Sequence, residues 1–211
     1  MTGPETVAIA SVTQYLVSFQ FKDFSGNNAV TPSVFEVETD NSNIVDAPQF
    51  SLWLDSGTNF RIHSIIWQNT DVQPAEQASH VATAPLNLTV QCRIFDAKLT
   101  AKDYLNIPVS GAQVTVTLAN QTIIQAVTSG DGTVNLPMIP LGTFKATIGY
   151  LGTSTTVSGN AAQQPVTTGK IFTSLPTIGL ITVAAIMAIV AAVVVIRKSH
   201  ASRKKNPLTA V

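Results

Sequence analysis

The sequence predicts an all-β chain that ends in a membrane helix: two antiparallel β-sandwich modules followed by one transmembrane α-helix. Three observations predict it. Apolar and polar residues alternate over short runs, the pattern of strands with one buried face. Turn-forming residues break those runs roughly every 8–12 residues, as in sandwiches and barrels. Leu175–Ile196 then runs for 22 residues without a charge.

The first module is read over residues 1–72. Tyr15, Val17, Phe19 and Phe21 alternate with Leu16, Ser18, Gln20 and Lys22 as a first strand, and Val34–Glu38, Phe50–Leu54 and Phe60–Trp67 supply others. If Phe60, Ile62, Ser64 and Ile66 face the core, then Arg61, His63, Ile65 and Trp67 face outward. Together with Trp53 this places Trp53, His63, Ile65 and Trp67 in a candidate apolar patch for docking or glycan stacking. The alternative is a sheet buried on both faces, or contact with the second module. Residues 73–85 are polar, with Pro74 and Pro85 near the ends, and read as a linker.

The second module is read over residues 86–157. Leu86, Leu88, Val90, Cys92 and Ile94 alternate with Asn87, Thr89, Gln91 and Arg93. Cys92 therefore falls on the apolar face and reads as a small buried hydrophobe. Ala112, Val114, Val116 and Leu118 repeat the pattern. Asn120-Gln121 reads as a turn, Ile123–Thr128 as a strand, and Ser129-Gly130-Asp131-Gly132 as a hairpin turn with positive φ angles. Thr133–Leu136, a turn at Pro140-Leu141-Gly142, and Thr143–Tyr150 complete the series. The run PVSGAQVTV (108–116), followed by SGDGTVNL (129–136) and IPLGTFKATI (139–148), resembles the carboxypeptidase-regulatory-like, or prealbumin-like, Ig-type domain over residues 86–160. The resemblance implies an Ig-like sandwich of the kind repeated in tandem in prokaryotic, in particular archaeal, surface proteins. It carries over no catalytic residue. Upstream, Leu52–Arg61 echoes Leu136–Lys145: both place Gly-Thr shortly before Phe and a basic residue. Both modules are therefore read as Ig-like.

Residues 158–174 carry Gly, Asn, Gln and Thr and read as a stalk. The span at 175–196 follows. At about 1.5 Å per residue it reaches about 33 Å, enough for a hydrocarbon core of about 30 Å. The formal net charge of the whole chain is zero, but this sum hides a division. Residues 1–174 hold twelve acidic and seven basic side chains, a net of −5, while Arg197, Lys198, Arg203, Lys204 and Lys205 give the tail +5. The positive-inside rule then puts the tail 197–211 in the cytoplasm and the modules outside. Met1–Phe21 has no basic n-region, so a signal upstream of Met1 is expected. The alternative is a tail anchor, which would export the five basic residues. LPTIG (175–179) resembles a sortase signal but has Ile178 where that signal has Thr. Ala184, Ala188 and Ala192 recur every four residues, a spacing that permits close helix packing and a homodimer.

The composition points away from several classes. Zero net charge and no basic patch outside the tail argue against nucleic-acid binding. A lone cysteine gives no disulfide scaffold. His63, His80 and Cys92 lack metal-ligand spacing, Asp96, Asp103 and Asp131 match no calcium loop, and no nucleophile motif marks a serine. No enzyme, metal or cofactor is therefore expected. Asn87-Leu88-Thr89 and Asn120-Gln121-Thr122 are glycosylation sequons on an exposed strand face and a turn. The expected partners are the lipid bilayer and other surface or envelope proteins or glycans. The expected role is structural, adhesive or display; the alternative is a ligand-binding or accessory subunit of a transporter or secreted-enzyme complex.

Overall fold

Alternation along Gln14–Lys22 turns Val17, Phe19 and Phe21 to one side, and this strand, β1, is the spine of the first sheet. The computed structural model describes residues 11–162, 166–171 and 175–204. The first module continues with β2 (Ala29–Val30), β3 (Val34–Thr39), β4 (Asn43–Asp46), β5 (Ser51–Asp55), β6 (Asn59–Trp67), β7 (Thr70–Asp71), β8 (His80–Val81) and β9 (Leu86–Gln91). β2 and β5 pair along one edge of β1, and β9 runs parallel to the other. The facing sheet has the order β4-β3-β6, with β7 and β8 on the far edge of β6. Both sheets contribute to one core, in which Phe19, Phe21, Phe35 and Phe60 dominate. Phe35 meets Phe19 and Phe21 edge-on at 4.7 and 4.9 Å between ring centres, the arrangement that ring quadrupoles favour.

The second module is β10 (Ile94–Asp103), β11 (Gln113–Thr117), β12 (Ile123–Val127), β13 (Thr133–Pro140), β14 (Thr143–Tyr150), β15 (Thr153–Asn160) and β16 (Val166–Ile171). One sheet is β13-β10-β16, with β16 parallel to β10; the other is β12-β11-β14-β15. Its core is aliphatic, built on Leu99, Val114, Val116, Leu136, Ala146 and Ile148, with Phe144. The connectivity repeats that of the first module. β5-β1-β9 corresponds to β13-β10-β16, and β4-β3-β6-β8 to β12-β11-β14-β15. Each module closes by laying its last strand parallel to its first. The sequence echo falls on the matching β5–β6 and β13–β14 connections, and Phe60 and Phe144 are both core residues one position into their strands.

Strand pairing corrects the sequence boundaries. Leu86–Gln91 belongs to the first module, because it pairs with β1 from Val17↔Leu86 to Lys22↔Gln91. The alternating run from Leu86 to Ile94 is two strands in line, separated by a tight turn in which the Ile94 amide donates to the Cys92 carbonyl. Period-two alternation does not reveal such a break, since Cys92 and Ile94 continue the parity of β9 into the first core; the buried parity changes only at a bulge after Phe95, beyond which Ala97, Leu99 and Ala101 face the second core. Within the supposed linker, His80 and Val81 pair with Phe60 and Asn59, and Ala82 is buried. Within the supposed stalk, β16 pairs with β10, and Ala161 and Ile171 are buried. The Ser129–Gly132 turn does not form a hairpin: it carries the chain from β12 in one sheet to β13 in the other.

The remaining element, α1 (Leu175–Lys204), extends past the predicted end of the span and includes Arg197, Lys198, Arg203 and Lys204. Lys205 lies outside the described residues. Ile178–Lys198 has a mean hydropathy of 2.9, long and apolar enough to cross a membrane. Its Ile, Val, Leu and Met side chains are exposed all round. In water so much exposed apolar surface would be costly, whereas a bilayer would accommodate it.

Candidate functional site

The predicted patch does not assemble. Trp53 is 63% exposed, but Ile65 is completely buried in the first core, and Trp67 packs against that core. The cause is a β-bulge. Glu36 pairs with Ser64 and Val37 with Ile62, which leaves His63 as an extra residue on β6. One inserted residue reverses the faces of everything beyond it. Phe60 and Ile62 face the core before the bulge, Ile65 and Trp67 after it. His63 stays on the outer side, its Nδ1 3.6 Å from Glu38 Oε2. Arg61 donates to the same carboxylate from Nη2 at 2.7 Å and Nε at 2.9 Å. These Arg61 hydrogen bonds hold the Glu38 carboxyl below its usual range. Arg61 and His63 are open to solvent over a Glu38 carboxylate that they largely cover, and the three are already paired, the character of a solvated sheet face.

Buried acids occupy the turns. Asp23 follows β1, is 2% exposed, and its carboxylate accepts from the Asn27 and Asn28 amides and from Asn28 Nδ2 and Ser25 Oγ. Burial opposes its ionisation, but these bonds outweigh burial and leave its pKa lowered. Asp103 ends β10, is fully buried, and accepts from the Leu105 and Ile107 amides, both at 2.8 Å. Each turn has a residue of positive φ three positions on, Gly26 or Asn106, whose amide donates to the Asp carbonyl. Asp131 accepts from Ser129 Oγ and from Thr133 Oγ1, and these bonds lower its pKa to about 2. Asp96 accepts from the Met138 amide. These carboxylates fasten backbone, and the sequence signal was present: Asp23-Phe24-Ser25-Gly26 and Asp103-Tyr104-Leu105-Asn106 share an acid, then an aromatic ring, then a residue suited to positive φ. Among the described residues no three or more His, Cys, Asp or Glu gather as a metal site.

The modules meet at a tight joint. Only Cys92 and Arg93 separate β9 from β10. Cys92 is fully buried, and burial pushes its thiol up to about 12, which disfavours the thiolate a nucleophile needs. The Cys92 amide donates to Lys22 O, the Arg93 amide to Val72 O, and the Phe24 amide to Ile94 O. Phe24 packs on Phe95 at 4.9 Å. Beside the joint lies a groove of about 1020 Å³, walled by Phe24, Ile62 and Leu88 from the first module and Phe95, Leu141 and Ala162 from the second. Two of its polar groups are turned to Gln73 behind the wall: Arg93 Nε donates to Gln73 O at 2.6 Å, and Gln77 Nε2 to Gln73 Oε1 at 2.6 Å. His80, also on its wall, stacks on Phe60.

The two sequons differ. Asn87 is exposed on β9. Asn120 is half-buried, and its Nδ2, the atom a glycan would take, donates to Gln68 O at 2.6 Å across the modules. Ala184, Ala188 and Ala192 lie on one exposed stripe of α1.

No protein-family model and no curated protein matches the chain, so the carboxypeptidase-regulatory-like resemblance stands on its motifs alone. Among solved structures the chain is similar to the Bacillus anthracis TIE protein (11% identity, TM-score 0.35, 76% of this chain and 34% of that one). It is also similar to a Streptococcal ancillary pilin (12%, 0.30, 75% and 62%). A third is the shaft pilin SpaA of Lactobacillus rhamnosus GG (9%, 0.35, 76% and 97%). The chain thus spans about a third of the first and under two thirds of the second. Superpositions this loose leave the role of the chain to be argued from its own residues.

Proposed function

We propose that the chain is a single-pass, membrane-anchored cell-surface protein with a structural, adhesive or display role. Two modules of one connectivity, joined by two residues, lead into a helix whose apolar side chains are exposed on every side, and this supports the reading. The modules stand outside and Arg197–Lys205 in the cytoplasm, by the charge division along the chain. Other surface proteins or glycans are its partners, Asn87 is the better placed acceptor for a glycan, and the alanine stripe of α1 pairs two copies in the bilayer. The test is protease shaving of intact cells carrying the full chain with an added secretion signal. The modules should be digested while a C-terminal tag survives and resists carbonate extraction. Loss of the tag with the modules protected would reverse the orientation; release by carbonate would remove the anchor.

The groove at the joint favours a second reading, a ligand-binding or accessory subunit. Its volume suits a small apolar ligand. Saturable binding of an apolar fluorescent dye by the native chain, abolished by Ala162→Trp, would support it. Binding unchanged by that substitution would discard it.

A further inference from the structure

We infer that the two modules are tension-bearing elements in series, each closed by a ladder that a pull along the chain loads in shear. The inference deepens the structural role proposed above and rests on it. In the first module β1 and β9 are parallel over six registered pairs, Val17↔Leu86 to Lys22↔Gln91. In the second, β10 and β16 are parallel over six, Lys98↔Val166 to Asp103↔Ile171. The chain enters each module through the first of these strands and leaves through the second. Because the two are parallel, entry and exit lie at opposite ends of one ladder. Hydrogen bonds of a parallel ladder run across the strands and are evenly spaced. Tension between entry and exit therefore slides one strand along the other and strains all six pairs together. A pull that parts the strands sideways would open them one after another.

Three further features fit this loading. The ladders are backed by core: Val17, Phe19, Phe21 and Val90 in one, Leu99, Ala101 and Ile171 in the other, all buried. Burial keeps water from replacing the strained bonds. The joint has little slack, since Cys92 and Arg93 are each bonded through backbone to the first module. Force leaving β9 thus passes directly into β10. β16 in turn leads, within a few residues, to α1. The fold repeats this closure in both modules although their cores differ, which marks it as the shared element.

Single-molecule pulling on the full chain in detergent micelles, with handles at both termini, tests this. Two rupture events are expected, each releasing about 260–280 Å of chain, for Gln14 to Gln91 and Ile94 to Ile171. Gly169→Ala, which crowds Ile148 beneath β16, should weaken one event and so assign it to the second module. The decisive comparison moves one handle to Ala84→Cys, an exposed residue just before β9. The start of β1 and Ala84 lie at the same end of the first ladder, so a pull between the N-terminal handle and Ala84 unzips it. The end-to-end rupture force of the first module should be higher by roughly twofold or more, since forced unfolding follows the unfolding barrier. Equal forces in the two geometries would overturn the inference. Shaving reads orientation and pulling reads rupture, so either proposal can fail alone.

Discussion

The two modules share one connectivity and two core chemistries. The first core is aromatic, with Phe19, Phe21, Phe35, Phe50 and Phe60 in edge-on contact. The second is packed with Val, Ala, Ile and Leu around Phe144. Large rings fill space between sheets that are irregular: β6 is bulged at His63, and β2, β7 and β8 have two residues each. In the second module β11, β14 and β15 pair without a shift of register, and the irregularity is confined to β10, bulged between Phe95 and Ala97 against β13. What stays constant is the closure by parallel terminal strands and the buried aspartate after the first strand. Closure and turn are thus the shared constraint between the modules, and core composition is the free one.

The comparison breaks most visibly at Ile65. Simple alternation puts it on the surface; the bulge puts it at 0% exposure beside the phenylalanines. Ile65→Ala should cost the first module about 2–5 kcal/mol, the range for truncating a fully buried aliphatic side chain. Trp53→Ala, at an exposed position, should stay within about 0.5 kcal/mol. Both tryptophans lie in the first module, so urea unfolding followed by tryptophan fluorescence isolates that module, with Trp67 still reporting in the Trp53 variant. An Ile65→Ala midpoint equal to the parent would mean that β6 is not bulged.

The second module breaks by crowding instead of cavity formation. Gly169 on β16 sits against Ile148, and a Cβ there would overlap Ile148 Cδ1, which must shift within the packed core, while meeting Thr155 and Val157 at ordinary contact distance. Gly169→Ala should destabilise by about 1–3 kcal/mol, as overpacked cores do. Far-UV circular dichroism should show the loss, while tryptophan fluorescence of the first module keeps its midpoint. A shift of both together would show that the joint couples the modules into one cooperative unit.

The legibility of the sequence follows the same division. In the second module β11, β12, β13 and β14 are readable, because their alternation is unbroken, whereas most of β10, bulged after Phe95, and the Thr- and Ser-rich β15 are not; the burial of Cys92 is readable too, although it lies in the first core. In the first, the pattern survived up to His63 and misassigned Ile65 and Trp67 beyond it, since a bulge carries no residue-type signature. The closing strands β9 and β16 were the hardest. β9 falls to the wrong module in a reading by alternation because its apolar parity runs on through Cys92 to Ile94 with no turn residue between. β16 resembles a stalk in sequence because Val-Thr-Thr-Gly-Lys-Ile offers few large apolar residues, its partner β10 supplying the bulk. The helix was legible from charge alone. The acid turns were visible as a repeated Asp-aromatic-x-Gly/Asn, a pattern found only by aligning the two first strands.

Acid separates the modules by a smaller margin. Asp131 closes the turn between β12 and β13, and hydrogen bonds from Ser129 and Thr133 lower its pKa from 3.8 to about 2. A depressed carboxyl binds its proton more readily when unfolded. Its contribution is therefore complete above about pH 4 and is lost as pH falls toward 2. Asp131→Asn keeps an acceptor oxygen and loses the charge. The second module of the variant should be less stable than the parent at neutral pH, and the gap should narrow as pH falls through that window. A gap that does not change with pH would assign the role of Asp131 to neutral hydrogen bonding.

The smallest expected effect concerns the strut between the modules. Asn120 uses its two side-chain atoms for different tasks: Oδ1 accepts from the Thr122 amide at 3.1 Å and closes its own turn, while Nδ2 donates to Gln68 O on the first module. Asn120→Asp keeps the first bond and removes the second, leaving a carboxylate facing a carbonyl. Since the site is only half-buried, the cost should be about 0.5–1 kcal/mol, seen as faster amide exchange across the Gln68-Asn69 turn with the second core unchanged. Thr122→Ala also removes the sequon but leaves the Nδ2 donor, so exchange at Gln68-Asn69 should stay near the parent rate. If both variants loosened that turn equally in unglycosylated protein, the strut would not depend on Nδ2. If neither did, the modules would be held without Asn120, through the Phe24–Phe95 contact, Met138 and Ile94 packed on the first core, and the backbone bonds of Phe24, Cys92 and Arg93, and Asn120 would be free to carry a glycan at no mechanical loss.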